Sequence, residues 1–280
     1  MGSLESPPGF VMYNQFYGLR EDPFNITPDP RFLFYSERHQ EAFNHLMFGV
    51  KERKGFIQIT GEVGAGKTTL CRAFLETLDG AYRTALILNP VMTETQLLRS
   101  ILTELGVKAA RDRVGCLGAL NEYLLEQLDA GFDVLLVIDE AQDLSPELLE
   151  QVRLLSNLET DQRKLLQIVL IGQPELRDKL NRRNMRQLRQ RITVRYHLLP
   201  LSMYETRFYI EHRLQVAGAN SKPSFNRAAL LGIHHYSRGI PRLINAVCDK
   251  TLLCGFTTGD ERLKGRHVRR AVRELEGRVR

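Results

Sequence analysis

Gly61-Glu62-Val63-Gly64-Ala65-Gly66-Lys67-Thr68 is the stretch on which the reading of this chain turns. It fits the pattern G-x-x-x-x-G-K-[ST]. The residue types follow from the physics of holding phosphate. Glycines let the backbone curl around an anion so that its N–H groups point inward. A helix opening at Lys67 turns its positive end toward the same anion. Lys67 supplies a charge for β- and γ-phosphates, and the Thr68 hydroxyl suits Mg²⁺. Context separates the motif from a chance match. Residues 56–60 read as a short apolar strand just before it, and 67–78 as a helix just after. The candidate nucleotide-contacting residues are therefore Gly61, Glu62, Val63, Gly64, Ala65, Gly66, Lys67, Thr68 and Thr69, and the ligand is ATP with Mg²⁺.

Working outward, further apolar strands are expected at 84–88, 134–138, 166–171 and 193–198. Helices are expected at 36–51, 94–105 and near 117–129, and another begins at Ser145-Pro146, with serine as cap and proline at the first helical position. Strands that are apolar throughout and alternate with helices imply a parallel sheet covered on both faces. After Pro200 the strands stop, and 202–217, 226–237, 241–254 and 265–276 read as helices separated by glycines. The expected organisation is an α/β domain over 13–200 and a small helical domain over 201–280. Residues 1–12 read as a disordered leader or tag. The segment 13–35 is rich in Phe and Tyr and broken by Pro23, Pro28 and Pro30, so it reads as an extended arm packed on the main body.

A second acidic motif lies at the end of a buried strand. Val134–Ile138 runs into Asp139-Glu140, where ligands bind in open α/β sheets. Asp139 suits Mg²⁺, and Glu140 suits the polarisation of an attacking water. Gln173 follows the 166–171 strand, where its amide suits water orientation or merely a turn. Six arginines fall within 182–195. A solvated helix face accounts for several, but less well for Arg189 and Arg191, which precede an apolar strand. Arg242 stands in a first helical turn, against the helix dipole, at a cost of roughly 0.3–1 kcal/mol that a bound anion would remove.

Bulk properties narrow the field. The chain has 280 residues, 43% hydrophobic and 26% charged, with a net charge of +6. Cys71, Cys116, Cys248 and Cys254 form no CxxC pair, and adjacent His234 and His235 point apart on a helix. Buried thiols are the reading, without a metal centre. No apolar run is long enough to span a membrane, and no signal-peptide pattern opens the chain.

Together the phosphate loop, Asp139-Glu140, Gln173, the 186–191 arginines and Gly239-Ile240-Pro241-Arg242 resemble an AAA+ ATPase. Phe16-Tyr17-Gly18-Leu19, Pro23-Phe24, Pro28-Asp29-Pro30, Asp139-Glu140-Ala141-Gln142 and Gly172-Gln173-Pro174-Glu175-Leu176 resemble one branch of it, the ExeA/GspA-type secretion ATPases and the related MshM pilus-biogenesis proteins. The resemblance implies a sheet of order 5-1-4-3-2 with a four-helix lid. It implies Walker A at 61–68, Walker B ending at Asp139-Glu140, sensor 1 at Gln173 and sensor 2 at Arg242. Asn89 matches the residue that restrains the Walker B glutamate in many AAA+ proteins. The arginine finger is implied at Arg191 or Arg189, with Arg191 preferred, and the aromatic arm is implied to contribute to an adenine pocket. A homo-oligomeric ring or filament is implied, as are inner-membrane secretion or pilus assembly partners. ExeA-type proteins continue into a membrane span, so this chain reads as a cytoplasmic portion or a soluble paralogue. The competing expectation is a DNA-associated ATPase of the transposition-regulator kind, suited by the basic stretches 182–195 and 262–280.

Overall fold

The computed structural model describes residues 12–25, 29–78, 80–160 and 163–278. Along the chain run α1 (Met12–Tyr17), α2 (Glu37–Lys51), β1 (Phe56–Gly61), α3 (Lys67–Thr77), β2 (Tyr82–Ile87), α4 (Glu94–Glu104) and α5 (Arg113–Asp129). Then come β3 (Asp133–Ile138), α6 (Pro146–Leu155), β4 (Leu166–Gly172), α7 (Pro174–Leu180), α8 (Arg186–Arg191) and β5 (Ile192–Leu198). The remainder is α9 (Met203–Val216), β6 (Ser224–Phe225), α10 (Arg227–Ser237), α11 (Pro241–Thr257), β7 (Arg262–Leu263) and α12 (Gly265–Leu275). These fall into two units. One is α/β, comprising 37–63 and 67–199. The other is helical, comprising the described residues up to Ser36, Gly64–Gly66 and 200 onward.

In the α/β unit five parallel strands order as β2-β3-β4-β1-β5, the sheet that the resemblance implies. β1 and β4 are buried at every position, and β3 at all but its first. Alternate residues of a strand face opposite sides of a sheet. Val134, Leu136, Ile138, Leu166, Ile168 and Leu170 therefore share one face. They join a core with Leu97 and Ile101 of α4, Leu120 of α5 and Val152 of α6. On the opposite face α2 packs on β1 and β5, and its Phe43 ring meets Phe74 of α3 edge-on at 6.1 Å. Each fully buried aliphatic side chain contributes about 1.5–3 kcal/mol. The caps agree with the local sequence: Ser145 accepts from the Leu148 N–H at 3.2 Å, with Pro146 opening α6.

The helical unit departs from expectation in two ways. The aromatic segment groups with it, whereas the sequence places that segment with the α/β domain. The segment also begins as a helix, α1, which includes Met12. The leader expected over 1–12 otherwise lies outside the described residues. Side chains explain the grouping. The Tyr13 hydroxyl donates to Asp249 at 2.7 Å, and the Tyr17 hydroxyl to the Leu252 carbonyl at 3.0 Å. Buried Arg213 donates from Nε to the Pro23 carbonyl at 2.5 Å and from Nη2 to the Asn25 carbonyl at 3.1 Å. Its guanidinium also lies 4.7 Å from the Phe32 ring centre. A guanidinium buried with carbonyls and a ring face is satisfied without a carboxylate. The second departure is a short parallel ladder between β6 and β7, where only helices were expected. Two-residue strands carry too little pattern to read.

Candidate functional site

β1 delivers the chain into the phosphate loop, and α3 begins at Lys67. Gly64 and Gly66 adopt φ of +78° and +93°, which side chains with a Cβ resist. Lys67 is only 6% exposed, and its ammonium donates to the Gly61 carbonyl at 2.9 Å and the Glu62 carbonyl at 3.0 Å. Burial lowers its pKa, while the carboxylates of Glu140, Asp139 and Glu62 oppose that shift. The ammonium rests where phosphate oxygens would compete with two neutral carbonyls for it. Charged acceptors win such a competition, because hydrogen bonds between ions are about twice as strong as neutral ones.

Asp139 is 2% exposed at the end of β3. Its own N–H donates to the Ile87 carbonyl at 2.8 Å, which ties it to the end of β2. Its Oδ2 accepts from the Thr68 hydroxyl at 2.6 Å, and its Oδ1 from the Glu140 N–H at 2.9 Å. Burial raises its pKa, against the lowering by those two donors. A carboxylate beside a hydroxyl oxygen offers hard oxygen ligands, and burial penalises its charge more than its neighbours relieve it. That is the chemistry a Mg²⁺ ion satisfies, so Thr68 and Asp139 fit it. Thr69 occupies the first turn of α3 beside them, half-buried.

Glu140 has a left-handed backbone, φ +50° and ψ +38°. A non-glycine residue held there costs of order 1–3 kcal/mol and is retained where the surroundings over-determine it. Two amides supply that determination. Gln142 Nε2 donates to Glu140 Oε2 at 2.7 Å, and Gln173 Nε2 donates to the same oxygen at 3.1 Å. Gln142 Oε1 in turn accepts the Gln173 backbone N–H at 3.0 Å. Gln173 is thus brought to Glu140, as a residue at the end of β4 beside β3 should be.

The other expected residues fall differently. Asn89 is exposed, and its side chain accepts from the Val91 N–H at 3.3 Å, a local turn contact. The hold on Glu140 comes from Gln142 and Gln173. Arg191 donates from Nη1 to the Ser156 hydroxyl at 2.5 Å and to the Arg153 carbonyl at 3.5 Å. It caps the carboxyl end of α6 within its own chain, which runs against the preference for it as a finger. Arg189 makes no side-chain hydrogen bond or ion pair among the described residues. Arg242 opens α11 in the helical unit, where its N–H donates to the Gly64 carbonyl at 3.2 Å. A Cβ at Gly64 would come within 2.5 Å of Arg242 Cβ, so close approach reinforces the backbone requirement for glycine.

Two residues escaped the reading from residue types. Gln142 appears there only inside a motif, and Lys179 not at all. Lys179 donates to the Gln142 carbonyl at 2.5 Å and the Leu144 carbonyl at 2.8 Å, anchoring the turn after Glu140 to α7. An amide two residues beyond a strand-end glutamate is the one local signal that points to Gln142.

Comparison with known proteins places this geometry. A family model described as an AAA domain matches residues 50–180. General secretion pathway protein A of Aeromonas hydrophila is 47% identical over 268 residues, 95% of this chain. The chain spans about half the length of that relative, 49%. Among solved structures, Cdc6p from Pyrobaculum aerophilum aligns over 92% of this chain and 72% of its own, with a TM-score of 0.69 at 17% identity. The Aeropyrum pernix ORC2 protein aligns over 92% and 73%, with a TM-score of 0.67 at 18% identity. At that identity the structural likeness speaks for the fold alone. The identity sustained along nearly the whole chain, on this sheet order and with the AAA domain match over 50–180, makes the chain similar to General secretion pathway protein A.

Proposed function

We propose that this chain binds ATP with Mg²⁺ and hydrolyses it, and that hydrolysis powers or organises assembly of a bacterial secretion or pilus envelope complex. One observation carries the catalytic part. The Thr68 hydroxyl and the Asp139 carboxylate, 71 residues apart in sequence, meet at 2.6 Å. Phosphate loop and acidic pair are therefore parts of one site.

The roles follow from that geometry. The amides of residues 61–67 and the start of α3 cradle phosphate, with Lys67 supplying its charge. Thr68 and Asp139 hold Mg²⁺, which when bound neutralises phosphate charge and orients the nucleotide. Glu140 takes a proton from the attacking water, and Gln173 steadies that arrangement. Arg189 is the finger in this reading, because Arg191 is committed to Ser156. A finger acts across a subunit boundary, so the reading includes a homo-oligomer. Arg242 serves as the phosphate sensor of the lid. The place of action in this reading is the cytoplasmic face of the inner membrane, as the resemblance to secretion ATPases implies. Among the described residues no helix is long and apolar enough to cross a membrane.

A second reading, DNA-associated turnover, draws on Arg182, Arg183 and Arg186, which have no side-chain ion pair or hydrogen bond among the described residues. One assay separates the two: steady-state ATPase of the purified chain, alone and with duplex DNA, beside Glu140→Gln. The secretion reading expects turnover indifferent to DNA. Strong stimulation by DNA that fades with salt would overturn it. Specific activity that rises with protein concentration would support the trans finger.

A further inference from the structure

Gln142 stands out because the reaction as proposed does not use it, yet four contacts converge on it. Its amide bridges the ends of two neighbouring strands. Oε1 accepts the Gln173 N–H, which follows β4, and Nε2 donates to Glu140, which follows β3. Nε2 also reaches Asp143 Oδ2, at a longer 3.3 Å. The direction of that amide is fixed by logic. A backbone N–H only donates, so the atom facing Gln173 is the oxygen, and the NH₂ must face the carboxylate. The Gln142 backbone is itself held, its carbonyl accepting from Lys179. The site also keeps room for the amide: a Cβ on Gly172 would sit 2.9 Å from Gln142 Oε1.

Both amide donors, from Gln142 and Gln173, reach the same oxygen of Glu140, Oε2. Oε1 has no hydrogen-bond partner among the described residues. A carboxylate gripped by one oxygen and open at the other is oriented to accept a proton in one direction. Glu140 has a strained backbone and its carboxylate makes no capping bond to the turn that follows, so the two amides are what hold it.

We propose that Gln142 is a positioning residue for the hydrolytic glutamate: it pins Glu140 Oε2 and presents Oε1 to the attacking water. This rests on the reading of Glu140 as the base. The contact between Gln142 and Glu140 is shorter than that from Gln173, so Gln142 is the stronger of the two restraints.

The test uses Gln142→Ala, Gln142→Glu and Glu140→Gln in the full chain, with kcat, KM for ATP and melting temperature. Gln142→Ala should lower kcat roughly ten- to a hundredfold, as misplacing a reacting group does, with KM and melting temperature little changed. Gln142→Glu replaces the amide donor with a carboxylate that repels Glu140 instead of holding it. Its kcat should fall at least as far as that of Gln142→Ala, again with KM little changed. A parent-like kcat in either variant, or a loss carried by KM or by melting temperature instead, overturns the proposal. If Glu140→Gln turns over normally, the reading of Glu140 fails instead, so the two failures are distinct.

Discussion

The α/β unit and the helical unit place their important side chains by different means. In the α/β unit, Asp139, Glu140 and Gln173 sit just beyond the ends of buried parallel strands, and Lys67 and Thr68 open the helix that follows β1. The backbone ladder positions them, and the side chains add short contacts of 2.6–3.1 Å. In the helical unit the corresponding work falls to long side chains. Tyr13, Tyr17 and Arg213 hold a segment that is remote in sequence, through hydrogen bonds to backbone carbonyls and to Asp249. A site built on strand ends tolerates little movement. A unit stapled by side chains can be loosened one contact at a time.

That contrast can be broken or sharpened in four ways, from the largest effect to the smallest. Arg189→Ala should lower turnover by about 10³-fold or more if it is the finger, while Arg191→Ala should lose stability rather than chemistry. Parallel measurements of kcat and melting temperature on the two variants check this, and the reverse pattern would return the role to Arg191. Lys67→Ala should cost about 10²–10³ in kcat, as removal of one preorganised charge donor does, with weaker ATP binding measured by calorimetry.

Arg213→Ala probes the other unit. It deprives the Pro23 and Asn25 carbonyls of charge-assisted donors, so unfolding free energy should fall by about 2–3 kcal/mol. Hydrogen exchange should then rise in residues 12–25 and in α9 before it rises in the sheet. Equal loss of protection in β1, β3 and β4 would erase the distinction between the units.

The smallest effect has a definite sign. Burial raises the pKa of Asp139, so folding disfavours its ionised form. The penalty is absent below the ordinary carboxylate range and grows as pH rises until the folded-state value is passed. Asp139→Asn should therefore raise the melting temperature of the nucleotide-free protein at neutral pH, and the gain should vanish in acid. Thermal scans across pH, without Mg²⁺, read it directly. A gain that persists in acid would mean that burial of the charge is not its origin.

The same contrast explains what was legible in the sequence. The phosphate loop and the strand ending at Asp139 are contiguous, and each residue's role follows from the one before it. The sheet order needed the family resemblance, since alternation alone leaves the order of parallel strands open. Gln142 was legible as part of a motif but not as a bridge, because its two partners belong to different strands. Asn89 matched by position alone, and its local contact with Val91 is invisible to any pattern. Arg191 misled for a related reason: the Ser156 hydroxyl that engages it lies 35 residues away. The arm groups with the helical unit rather than the α/β unit, because aromatic content says that a segment is buried without saying against what.

The central claim is that hydrolysis runs through Glu140 in the α/β unit. Its most direct test is a single-turnover measurement on Glu140→Gln with ATP and Mg²⁺ prebound. The account predicts ATP bound at near-parent affinity and hydrolysed about 10²–10⁴-fold more slowly. Bound ATP that is cleaved at the parent rate would contradict it.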